Sequence, residues 1–556
     1  MVRLKVLLLG FTLGFAVIIG RLFYWQVVRG DELQSQAASQ HLVSLEIQAD
    51  RGKIYTADSF PLVINEPAYL LYGLPRQITD SGEAAKELAP ILNIKAEDLE
   101  KKLAGGVLFW VPLAKNLEQE KKEKIEGLGI SGLGFEEEEK RAYPEGSLAA
   151  HLLGFTAKNK EGNPQGYFGL EGFYQRSLVG RSGRLSFEKD APGRPILVGQ
   201  QSEEKVVSGN DLSLFLERSL QFLVEERLKK GIERYGAKSG SAVVMDPKTG
   251  GILAMASFPN FDPANFGQFD DSFFINPVIS QGFEPGSIFK VLIMAAALEE
   301  KAVSPLEKCS RCSGPRQIGE YVIRTWNDKY YPDSTMTEVI QHSDNVGMVF
   351  VGEKLGTKKL VSYLRKFGLG EKTGIDLEGE ISPPLREERN WSEIDRATAC
   401  FGQGVAVTPL EMLRAVGALA NGGKLVKPRV VAKIRKENQE IILKGEMVRQ
   451  VVSPATAGMI SEMMVNATEN GEAKWAKPAG FRIAGKTGTA QIPVAGHYDT
   501  DKTIASFIGF APADDPQFVM LVALREPSVS PWGSETAAPL WFDIAKGIFD
   551  LRGYYP

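Results

Sequence analysis

The sequence predicts an α+β protein whose C-terminal region folds as an antiparallel sheet flanked by helices. The first observation is a hairpin, because residues 241–245 and 252–255 have strand composition around an Asp-Pro-Lys-Thr-Gly turn. The second is a set of three further strand-like segments, at 482–490, 504–510 and 518–524. The third is a pair of helices before and after these strands, at 216–235 and 537–551. A sheet flanked by its first and last helices, with a mostly helical middle, is the simplest assembly of these elements.

Length and composition set the outer limits of the fold. A chain of 556 residues is too long for one hydrophobic core, so two or three domains are expected. Hydrophobic residues make up 43% and charged residues 24%, which is typical of a globular chain. The formal net charge is −4, and this near balance gives no electrostatic case for nucleic acid as a partner.

The three cysteines and four histidines do not form a metal-binding pattern. Cys309 and Cys312 make one Cys-x-x-Cys, whereas a structural zinc site needs four ligands, and no second pair follows. The pair is interpreted as a small loop disulfide or as two free thiols. Cys400 stands alone and has the character of a small core residue. No metal and no cofactor is expected.

The N-terminus carries a segment long and apolar enough to cross a bilayer. Residues 6–20 are uncharged and almost wholly apolar, and 22–28 continue the apolar stretch with two aromatic residues. Arg3 and Lys5 precede it, which favours a cytoplasmic N-terminus. A cleaved secretory signal is the alternative, but no small-x-small cleavage site follows the apolar core. The prediction is an uncleaved single anchor, with the rest of the chain exported.

The chain is predicted to divide into three segments. Residues 1–28 form a cytoplasmic tip and the anchor. Residues 29–204 mix short strands, turns and charged helices and carry no complete catalytic pattern. Residues 205–556 hold the predicted sheet and its helices.

Three short patterns in the chain are, taken together, typical of serine acyl-transfer enzymes. Each alone is weak, because about two Ser-x-x-Lys matches are expected by chance in a chain of this composition. Ser-x-x-Lys occurs at Ser186/Lys189, Ser202/Lys205 and Ser287/Lys290. Ser-x-Asn occurs at Ser208/Asn210 and Ser343/Asn345, and Lys-Thr-Gly begins at Lys248, Lys372 and Lys486.

Local context separates Ser287 from the other two serines. Ser287 follows Glu-Pro-Gly and opens an apolar run that predicts a buried helix. Lys290 lies three residues further on and therefore shares a helix face with Ser287. Ser186 is followed by Asp-Ala-Pro-Gly at 190–193, which cannot continue a helix, and Ser202 lies in a charged cluster.

Context also selects one Lys-Thr-Gly. The copy at 248 is the hairpin turn and precedes Ser287, and the copy at 372 follows a Gly-Leu-Gly loop. Lys486 alone lies on a predicted strand, with Thr487, Gly488 and Thr489. An edge strand can bind a peptide by strand addition, and a small residue lets the peptide approach closely. Ser343 and Asn345 fall between the nucleophile and this strand in sequence.

The ordered motifs resemble those of the class B penicillin-binding proteins, most of all the septal, cell-division type. The resemblance covers nearly the whole chain and includes signatures outside the three catalytic motifs. These signatures are Arg51–Ile54, Arg141–Pro144, His151–Phe155, Gly169–Glu171, Gly180–Gly183, Phe401–Gly404, Thr408–Leu410 and Ser506–Pro512. Two family elements are altered, at 56–59 and at 215–217, and both lie outside the catalytic motifs.

The resemblance implies a pedestal domain of the dimerisation type and a β-lactamase-like transpeptidase domain with a five-stranded antiparallel sheet. It implies that Ser287 attacks the D-Ala-D-Ala bond of a peptidoglycan stem peptide and that Lys290 takes its proton. Ser343 would relay a proton to the leaving D-Ala, and Asn345 would orient the substrate and Lys290. β-Lactams would acylate the same serine and stall there.

The resemblance also assigns the substrate-binding strand. Lys486, Thr487 and Thr489 would hold the terminal carboxylate beside the small Gly488. The backbone N–H groups of Ser287 and Thr489 would form the oxyanion hole. The implied partners are stem peptides, a bacterial plasma membrane, a polytopic membrane glycosyltransferase and division proteins.

Three alternatives to a septal transpeptidase stay open at the level of sequence. The first is an elongation-type transpeptidase of the same class. The second is a carboxypeptidase or β-lactamase-like hydrolase, for which the only Glu-x-x-x-Asn found between Ser343 and Lys486 is Glu462/Asn466. The third is a non-enzymatic β-lactam sensor or division scaffold. About five residues precede the anchor, which leaves no room there for a sensor's output module.

Overall fold

The computed structural model describes residues 2–33, 42–104, 110–160, 162–188, 201–437, 439–494 and 497–554. The chain forms two compact units. The first unit comprises Met1–Arg51 and Val179–Gly209, and the second comprises Gly52–Leu178 and Asn210–Pro556. Lys189 and the stretch 190–193, which bear on the Ser186 motif, lie outside the described residues.

Helices and strands alternate irregularly up to residue 209. The helices are α1 (Val2–Phe23), α2 (Ser81–Leu92), α3 (Ala96–Leu103), α4 (Gln119–Glu126), α5 (Ala150–Leu153), α6 (Gly169–Phe173) and α7 (Gln175–Leu178). The strands are β1 (Leu42–Ile47), β2 (Ile54–Tyr55), β3 (Pro61–Gly73), β4 (Val111–Leu117), β5 (Leu133–Ala142), β6 (Phe155–Lys158), β7 (Pro164–Tyr167), β8 (Gly183–Glu188) and β9 (Gln201–Glu204).

From residue 210 onward helices predominate between an early and a late set of strands. The helices are α8 (Arg218–Tyr235), α9 (Pro277–Ser280), α10 (Lys290–Glu299), α11 (Met336–Gln341), α12 (Asn345–Leu355), α13 (Thr357–Lys366), α14 (Glu393–Ala399), α15 (Pro409–Ala420), α16 (Pro454–Asn470) and α17 (Ala537–Arg552). The strands are β10 (Asp211–Leu214), β11 (Ser239–Met245), β12 (Ile252–Phe258), β13 (Arg316–Ile318), β14 (Tyr321–Ile323), β15 (Lys424–Val426), β16 (Val431–Lys436), β17 (Gln439–Ile442), β18 (Met447–Gln450), β19 (Ala484–Val494), β20 (His497–Ala511) and β21 (Phe518–Arg525).

The first unit contains the apolar N-terminal helix and a small sheet. Helix α1 continues through a π-helical turn to Val28, and the combined helix is long and apolar enough to span a membrane. Its side chains are exposed, as expected for a helix whose partner is lipid. Strands β1, β8 and β9 form a three-stranded antiparallel sheet in that order.

The second unit begins with a mixed sheet that draws strands from distant parts of the chain. Its order is β17-β16-β10-β2-β3-β4, with β5 also paired to β3. Helices α2 and α3 bury Leu88 and Leu99 against this sheet in a separate small core. The sheet is mixed, because β10 pairs parallel with β2 and antiparallel with β16, and β3 pairs antiparallel with β5.

The predicted five-stranded antiparallel sheet is confirmed. Its order is β12-β11-β21-β20-β19, with the 246–250 turn joining its first two strands. One face packs on α8 and α17 around the buried Trp541. The other face packs on the helical layer, which includes α10 and α15. The order leaves β19, the strand that carries Lys486, at the edge of the sheet.

Several strand boundaries differ from the sequence prediction, because β19 and β20 run over 484–494 and 497–511 instead of 482–490 and 504–510. Strand β19 begins at Ala484, two residues later than expected. The carbonyl of Arg482 accepts a hydrogen bond from Ala513 instead of pairing with β20. The ladder with β20 therefore starts with Ala484 opposite Phe510.

Candidate active site

Ser287 lies in a tight turn that leads into helix α10. We expected it to open the α-helix itself, and this detail is wrong, because Gly286–Phe289 is a 3-10 turn and α10 begins at Lys290. Side chains at i and i+3 eclipse one another in 3-10 geometry. The turn therefore aligns Ser287 with Lys290 at least as directly as an α-helix does.

Gly286 lets this turn approach the edge strand. Its φ is +58°, and a Cβ there would lie 2.9 Å from the carbonyl oxygen of Thr489. Its N–H donates to the carbonyl of Gly402 at 3.0 Å. A residue without a Cβ satisfies both the left-handed backbone and the close approach. Packing against β19 therefore requires a glycine immediately before Ser287.

Lys290 is fully buried and directed at the Ser-x-Asn motif. Its Nζ donates to the carbonyl oxygen of Ser343 at 2.6 Å and to Asn345 Oδ1 at 2.8 Å. The Ser343 hydroxyl lies 3.2 Å from the same nitrogen. Asn345 Nδ2 donates to the carbonyl of Arg324 at 3.0 Å, which fixes the direction of its amide. The predicted contact between Asn345 and Lys290 is present.

Ser343 occupies a strained position between helices α11 and α12. Its φ is +54°, in the left-handed region that a non-glycine residue rarely adopts. Asp344 follows as the N-cap of α12, and its Oδ1 accepts hydrogen bonds from Val346 and Gly347. Because the cap fixes the next residue, the strained backbone directs the Ser343 hydroxyl into the site.

Lys486 reaches the same hydroxyl from the edge strand. Its Nζ lies 3.0 Å from Ser343 Oγ and 3.2 Å from both the carbonyl and the hydroxyl oxygen of Thr487. The lysine is only 3% exposed. The Ser343 hydroxyl is therefore within hydrogen-bond distance of two buried amines, Lys290 and Lys486.

Burial makes both amines less basic than a free lysine. The pKa of Lys290 is well below its usual range, first because of burial and then because of the positive charge of Lys486. Burial lowers the pKa of Lys486 to about 8, and the carboxylate of Glu472 opposes that change. The pKa of Asp344 is raised, mainly by burial. Because burial and the charge of Lys486 both lower the pKa of Lys290, whereas Glu472 partly restores that of Lys486, Lys290 is favoured as a neutral base beside Lys486 as an ammonium group.

The edge strand presents the residues that the sequence assigns to substrate binding. Thr487, Gly488 and Thr489 line the same cleft as Ser287 and Ser343. A Cβ on Gly488 would lie 2.5 Å from the Ser506 hydroxyl and 2.9 Å from the Ile288 side chain. The hydroxyl oxygen of Thr489 accepts the N–H of Gly533 at 2.9 Å and keeps its own proton for a ligand.

Several residues of the cleft were not singled out as site residues from the sequence. Trp326 and Trp532 meet edge to face with ring centroids 5.0 Å apart, and both line the cleft. Phe401 and Gln403 also line it, and they belong to a signature that the sequence assigned to the family but to no role. Glu472 lines it as well, and no sequence motif marks that residue. Only long-range packing brings these side chains together.

The other copies of the motifs are accounted for elsewhere in the structure. Lys248 is 50% exposed and pairs with Asp515, and Thr249 closes the hairpin turn through Asp246. Thr373 of the third Lys-Thr-Gly is bonded to Glu380 in a loop. Ser202 is an exposed residue on β9 of the first unit.

The remaining candidate residues have local structural roles. His342, which precedes Ser343 in sequence, stacks on Tyr331 with ring centroids 4.0 Å apart. Glu462 pairs with Arg482, and Asn466 donates to Gln341. Their Glu-x-x-x-Asn pattern therefore contributes nothing to the cleft.

The cysteines take the first of the two interpretations left open by the sequence. Cys309 and Cys312 form a disulfide in the loop that follows α10, and Cys400 is buried in the core. In the described part of the chain, no group of three or more His, Cys, Asp or Glu side chains is arranged to hold a metal ion.

Two family models match the chain, and together they cover most of it. Residues 240–549 match the penicillin-binding protein transpeptidase domain, and residues 46–214 match the penicillin-binding protein dimerisation domain. Stage V sporulation protein D of Bacillus subtilis is 34% identical, over all of this chain and 86% of that protein. Peptidoglycan D,D-transpeptidase FtsI of Escherichia coli is 31% identical, over 98% of this chain and 91% of that protein.

Solved structures agree with these matches. Penicillin-binding protein 2X of Streptococcus thermophilus superposes with a TM-score of 0.76 at 25% identity, over 92% of this chain and 81% of that one. A mycobacterial penicillin-binding protein 3 complexed with aztreonam gives a TM-score of 0.71 at 27% identity, over 92% of this chain and 97% of that one. The chain belongs to the class B penicillin-binding proteins, serine-acylating transpeptidases that bind β-lactams and serve cell-wall synthesis.

Proposed function

We propose that this chain is a peptidoglycan D,D-transpeptidase that cross-links stem peptides through an acyl-enzyme on Ser287. The observation that carries the proposal is the position of the Ser343 hydroxyl. It lies 3.2 Å from Lys290 Nζ and 3.0 Å from Lys486 Nζ, in a cleft that Ser287 also lines. This arrangement supplies a nucleophile, a base and a proton relay in one buried site.

The first step forms the acyl-enzyme. Neutral Lys290 accepts the proton of the Ser287 hydroxyl as Oγ bonds to the carbonyl carbon of the penultimate D-Ala. The carbonyl oxygen becomes an oxyanion, which the backbone N–H groups of Ser287 and Thr489 stabilise. The loss of one such donor typically costs about two to three orders of magnitude in rate. The position of β19 at the sheet edge supports this assignment, because a strand there can present backbone N–H groups to a ligand.

The second step releases the terminal D-Ala and transfers the acyl group. As the C–N bond breaks, the leaving amine takes a proton from Lys290 through the Ser343 hydroxyl. An amine of a neighbouring peptidoglycan strand then attacks the ester carbon and passes its proton through the Ser343 hydroxyl to Lys290. Lys290 returns this proton to Ser287 Oγ as the ester C–O bond breaks. The contacts of Ser343 with both amines support this relay.

Substrate placement is assigned to the edge strand and to Asn345. The Lys486 ammonium group and the Thr487 and Thr489 hydroxyls bind the terminal carboxylate of the donor. The side-chain amide of Asn345 orients Lys290 and the donor peptide. The peptide backbone extends β19 as an added strand next to Gly488.

The test is covalent labelling of membranes with a fluorescent penicillin. We expect the Ser287→Ala variant to lose labelling and the Ser202→Ala variant, changed in the exposed copy of the same motif, to label like the wild type. Labelling of Ser287→Ala at the wild-type rate would show that the nucleophile is another residue.

Hydrolysis of the adduct distinguishes the transpeptidase from a β-lactamase-like or carboxypeptidase enzyme. A hydrolase activates water against the acyl-enzyme, and Glu462 and Asn466 are engaged elsewhere. We expect the penicilloyl adduct on Ser287 to persist for many minutes and purified protein to join a donor to an amine acceptor. Rapid release of the adduct without cross-linked product would favour the hydrolase.

The cellular process is proposed to be septal wall synthesis during division. The identity to FtsI supports this role over elongation and over a non-enzymatic sensor or scaffold. Identity to stage V sporulation protein D favours a second candidate, a role in sporulation. Imaging a fluorescent fusion separates the candidates, because a division enzyme collects at mid-cell in growing cells. A sporulation enzyme accumulates only in cells that form spores, and an elongation enzyme lies along the side wall.

The apolar N-terminal helix supports a proposal for the arrangement in the membrane. We assign residues 1–28 to a cytoplasmic tip and a single anchor in the bacterial plasma membrane, 29–204 to the pedestal and 205–556 to the extracytoplasmic transpeptidase domain. The matched regions 46–214 and 240–549 support the pedestal and the transpeptidase assignments, respectively. In this proposal, a polytopic membrane glycosyltransferase among the division partners polymerises the glycan strands of peptidoglycan. Protease protection in intact spheroplasts tests the orientation, because an exported domain is digested and a cytoplasmic one is not.

A further inference from the structure

Glu472 is placed in the catalytic cleft by an abrupt end to helix α16. The helix stops at Asn470, and Gly471 turns the chain close against its neighbours. A Cβ on Gly471 would lie 2.2 Å from the carbonyl oxygen of Ala467 and 3.0 Å from that of Gln341. Ala473, on the other side, is buried in the core. Glu472 is therefore held between two tightly packed residues.

The carboxylate of Glu472 has no hydrogen-bond donor on its buried side. The residue lines the same cleft as Ser287 and Ser343. Its Oε1 is shielded from solvent, and no donor among the described residues reaches it. A carboxylate oxygen in such a place is costly unless nearby positive charge compensates for its lost hydration.

Among the described residues, the charged groups that act on Lys290 and Lys486 are these two lysines themselves, Asp344 and Glu472. Lys290 interacts electrostatically with Lys486, Asp344 and Glu472, and Lys486 interacts with Lys290 and Glu472. Asp344 is the N-cap of α12, and its Oδ1 already accepts hydrogen bonds from the backbone of that helix. Ser343, Asn345 and Thr487 supply the neutral contacts of the lysines. Glu472 is thus the acid whose charge is left to balance the lysine on the edge strand.

We propose that Glu472 is a positioning residue whose negative charge keeps Lys486 an ammonium group while Lys290 works as the base. The inference rests on the proposed function, because it assigns different protonation states to the two lysines of that mechanism. Glu472 stabilises the cationic form of both lysines. Without it, Lys486 would lose its proton at a pH where the substrate carboxylate still needs an ammonium partner.

The sign of the effect gives a specific signature. Acylation rises as Lys290 loses its proton and falls as Lys486 loses its own, so the rate has a bell-shaped dependence on pH. Removing the charge of Glu472 makes both protons easier to lose. Both limbs of the bell therefore move to lower pH, by about one unit for a nearby charge. A purely structural role would instead lower the rate at every pH and leave the limbs in place.

The experiment measures the second-order rate of acylation by a fluorescent penicillin as a function of pH. The variants are Glu472→Gln, which removes the charge at constant size, and Glu472→Asp, which keeps it. Glu469→Gln is the matched control, because this exposed carboxylate in the last turn of α16 pairs with Lys477. We expect Glu472→Gln to shift both limbs, with about a tenfold loss of rate on the alkaline side. Glu472→Asp and Glu469→Gln should keep the wild-type limbs.

Two outcomes would overturn the inference. One is a Glu472→Gln profile with unmoved limbs, measured on protein whose thermal unfolding matches the wild type. The other is an unchanged acylation profile with a slower release of the adduct, which would make Glu472 a base for water. Failure here is distinct from failure of the proposed function, because the latter requires Ser287→Ala to retain labelling.

Discussion

The same tripeptide, Lys-Thr-Gly, occurs in two very different regions of this molecule. In the hairpin turn between β11 and β12, Lys248 is 50% exposed and pairs with Asp515 at 2.6 Å. On the edge strand, Lys486 is 3% exposed and contacts Ser343 and Thr487. The two lysines are chemically identical in the unfolded chain. Their surroundings alone make one a solubilising surface charge and the other a candidate catalytic group.

The difference lies in hydration. A surface ion pair gains little, because water already stabilises both charges. Burial removes that water and brings the pKa of Lys486 to about 8, within reach of physiological pH. The Ser-x-x-Lys copies repeat the contrast, since Lys290 is fully buried whereas Lys205 is exposed. Desolvation, more than the motif, creates the reactive lysines.

The largest expected effect separates the buried Lys290 from the exposed Lys205 of another Ser-x-x-Lys copy. Lys290→Met removes the proposed base at similar volume, and we expect acylation by penicillin to fall about a thousandfold or more. Lys205→Met is the matched control and should leave the rate unchanged. Stopped-flow or gel-based acylation kinetics on purified protein measure both. A Lys290→Met variant that retains most of the wild-type acylation rate would show that the buried Lys290 matters no more to acylation than the exposed Lys205.

The next effect separates Lys486 from Lys248 of the hairpin-turn Lys-Thr-Gly. Lys486→Met removes the ammonium group that we propose binds the substrate carboxylate, and we expect acylation to fall by about a hundredfold to a thousandfold. Lys248→Met removes only a surface charge and should match the wild type. The same kinetics apply, with melting temperatures to confirm that both variants fold. Equal losses in the two variants would contradict the proposed role of Lys486.

A smaller effect depends on the titration of Lys486 in the unmodified protein. Its pKa is lowered to about 8, so the ammonium form is present below that pH and is lost as the pH rises through it. Acylation should therefore decline by about tenfold for each unit above pH 8, once most of the lysine is neutral. The Lys248→Met variant should show the same decline. A rate that stays constant up to the usual pKa of lysine would show that Lys486 is not the titrating group.

Much of the fold follows from local patterns. The hairpin turn, the edge strand and the two flanking helices each carry their signal within about fifteen residues, and all appear in the structure. The assignment of Ser287 over Ser202 depended on a proline-glycine and an apolar run that are adjacent in sequence. Such signals are local and need no knowledge of the tertiary fold.

The unpredicted features depend on contacts between distant segments. Trp326 and Trp532 are far apart in sequence, and only the packed fold makes them one wall of the cleft. Glu472 follows a helix end with no motif around it. The 3-10 geometry at Ser287 depends on close packing of Gly286 against Gly402 and Thr489. The division into two units also joins residues from both ends of the pedestal region.

The smallest expected effect concerns the threonines of the hairpin-turn and edge-strand copies of Lys-Thr-Gly, Thr249 and Thr487. Thr249 donates to Asp246 Oδ2 at 2.6 Å and holds the hairpin turn, so Thr249→Val should lower the free energy of unfolding by about 1 kcal/mol. Its acylation rate per folded molecule should not change. Thr487 contacts Lys486 and faces the cleft, so Thr487→Val should lower acylation about tenfold. Denaturant unfolding and acylation kinetics on the two variants measure the contrast. A Thr249→Val variant that lost acylation without losing stability would mean that the hairpin turn influences the cleft. The Lys-Thr-Gly copies at 248 and 486 would then differ less in function than their surroundings indicate.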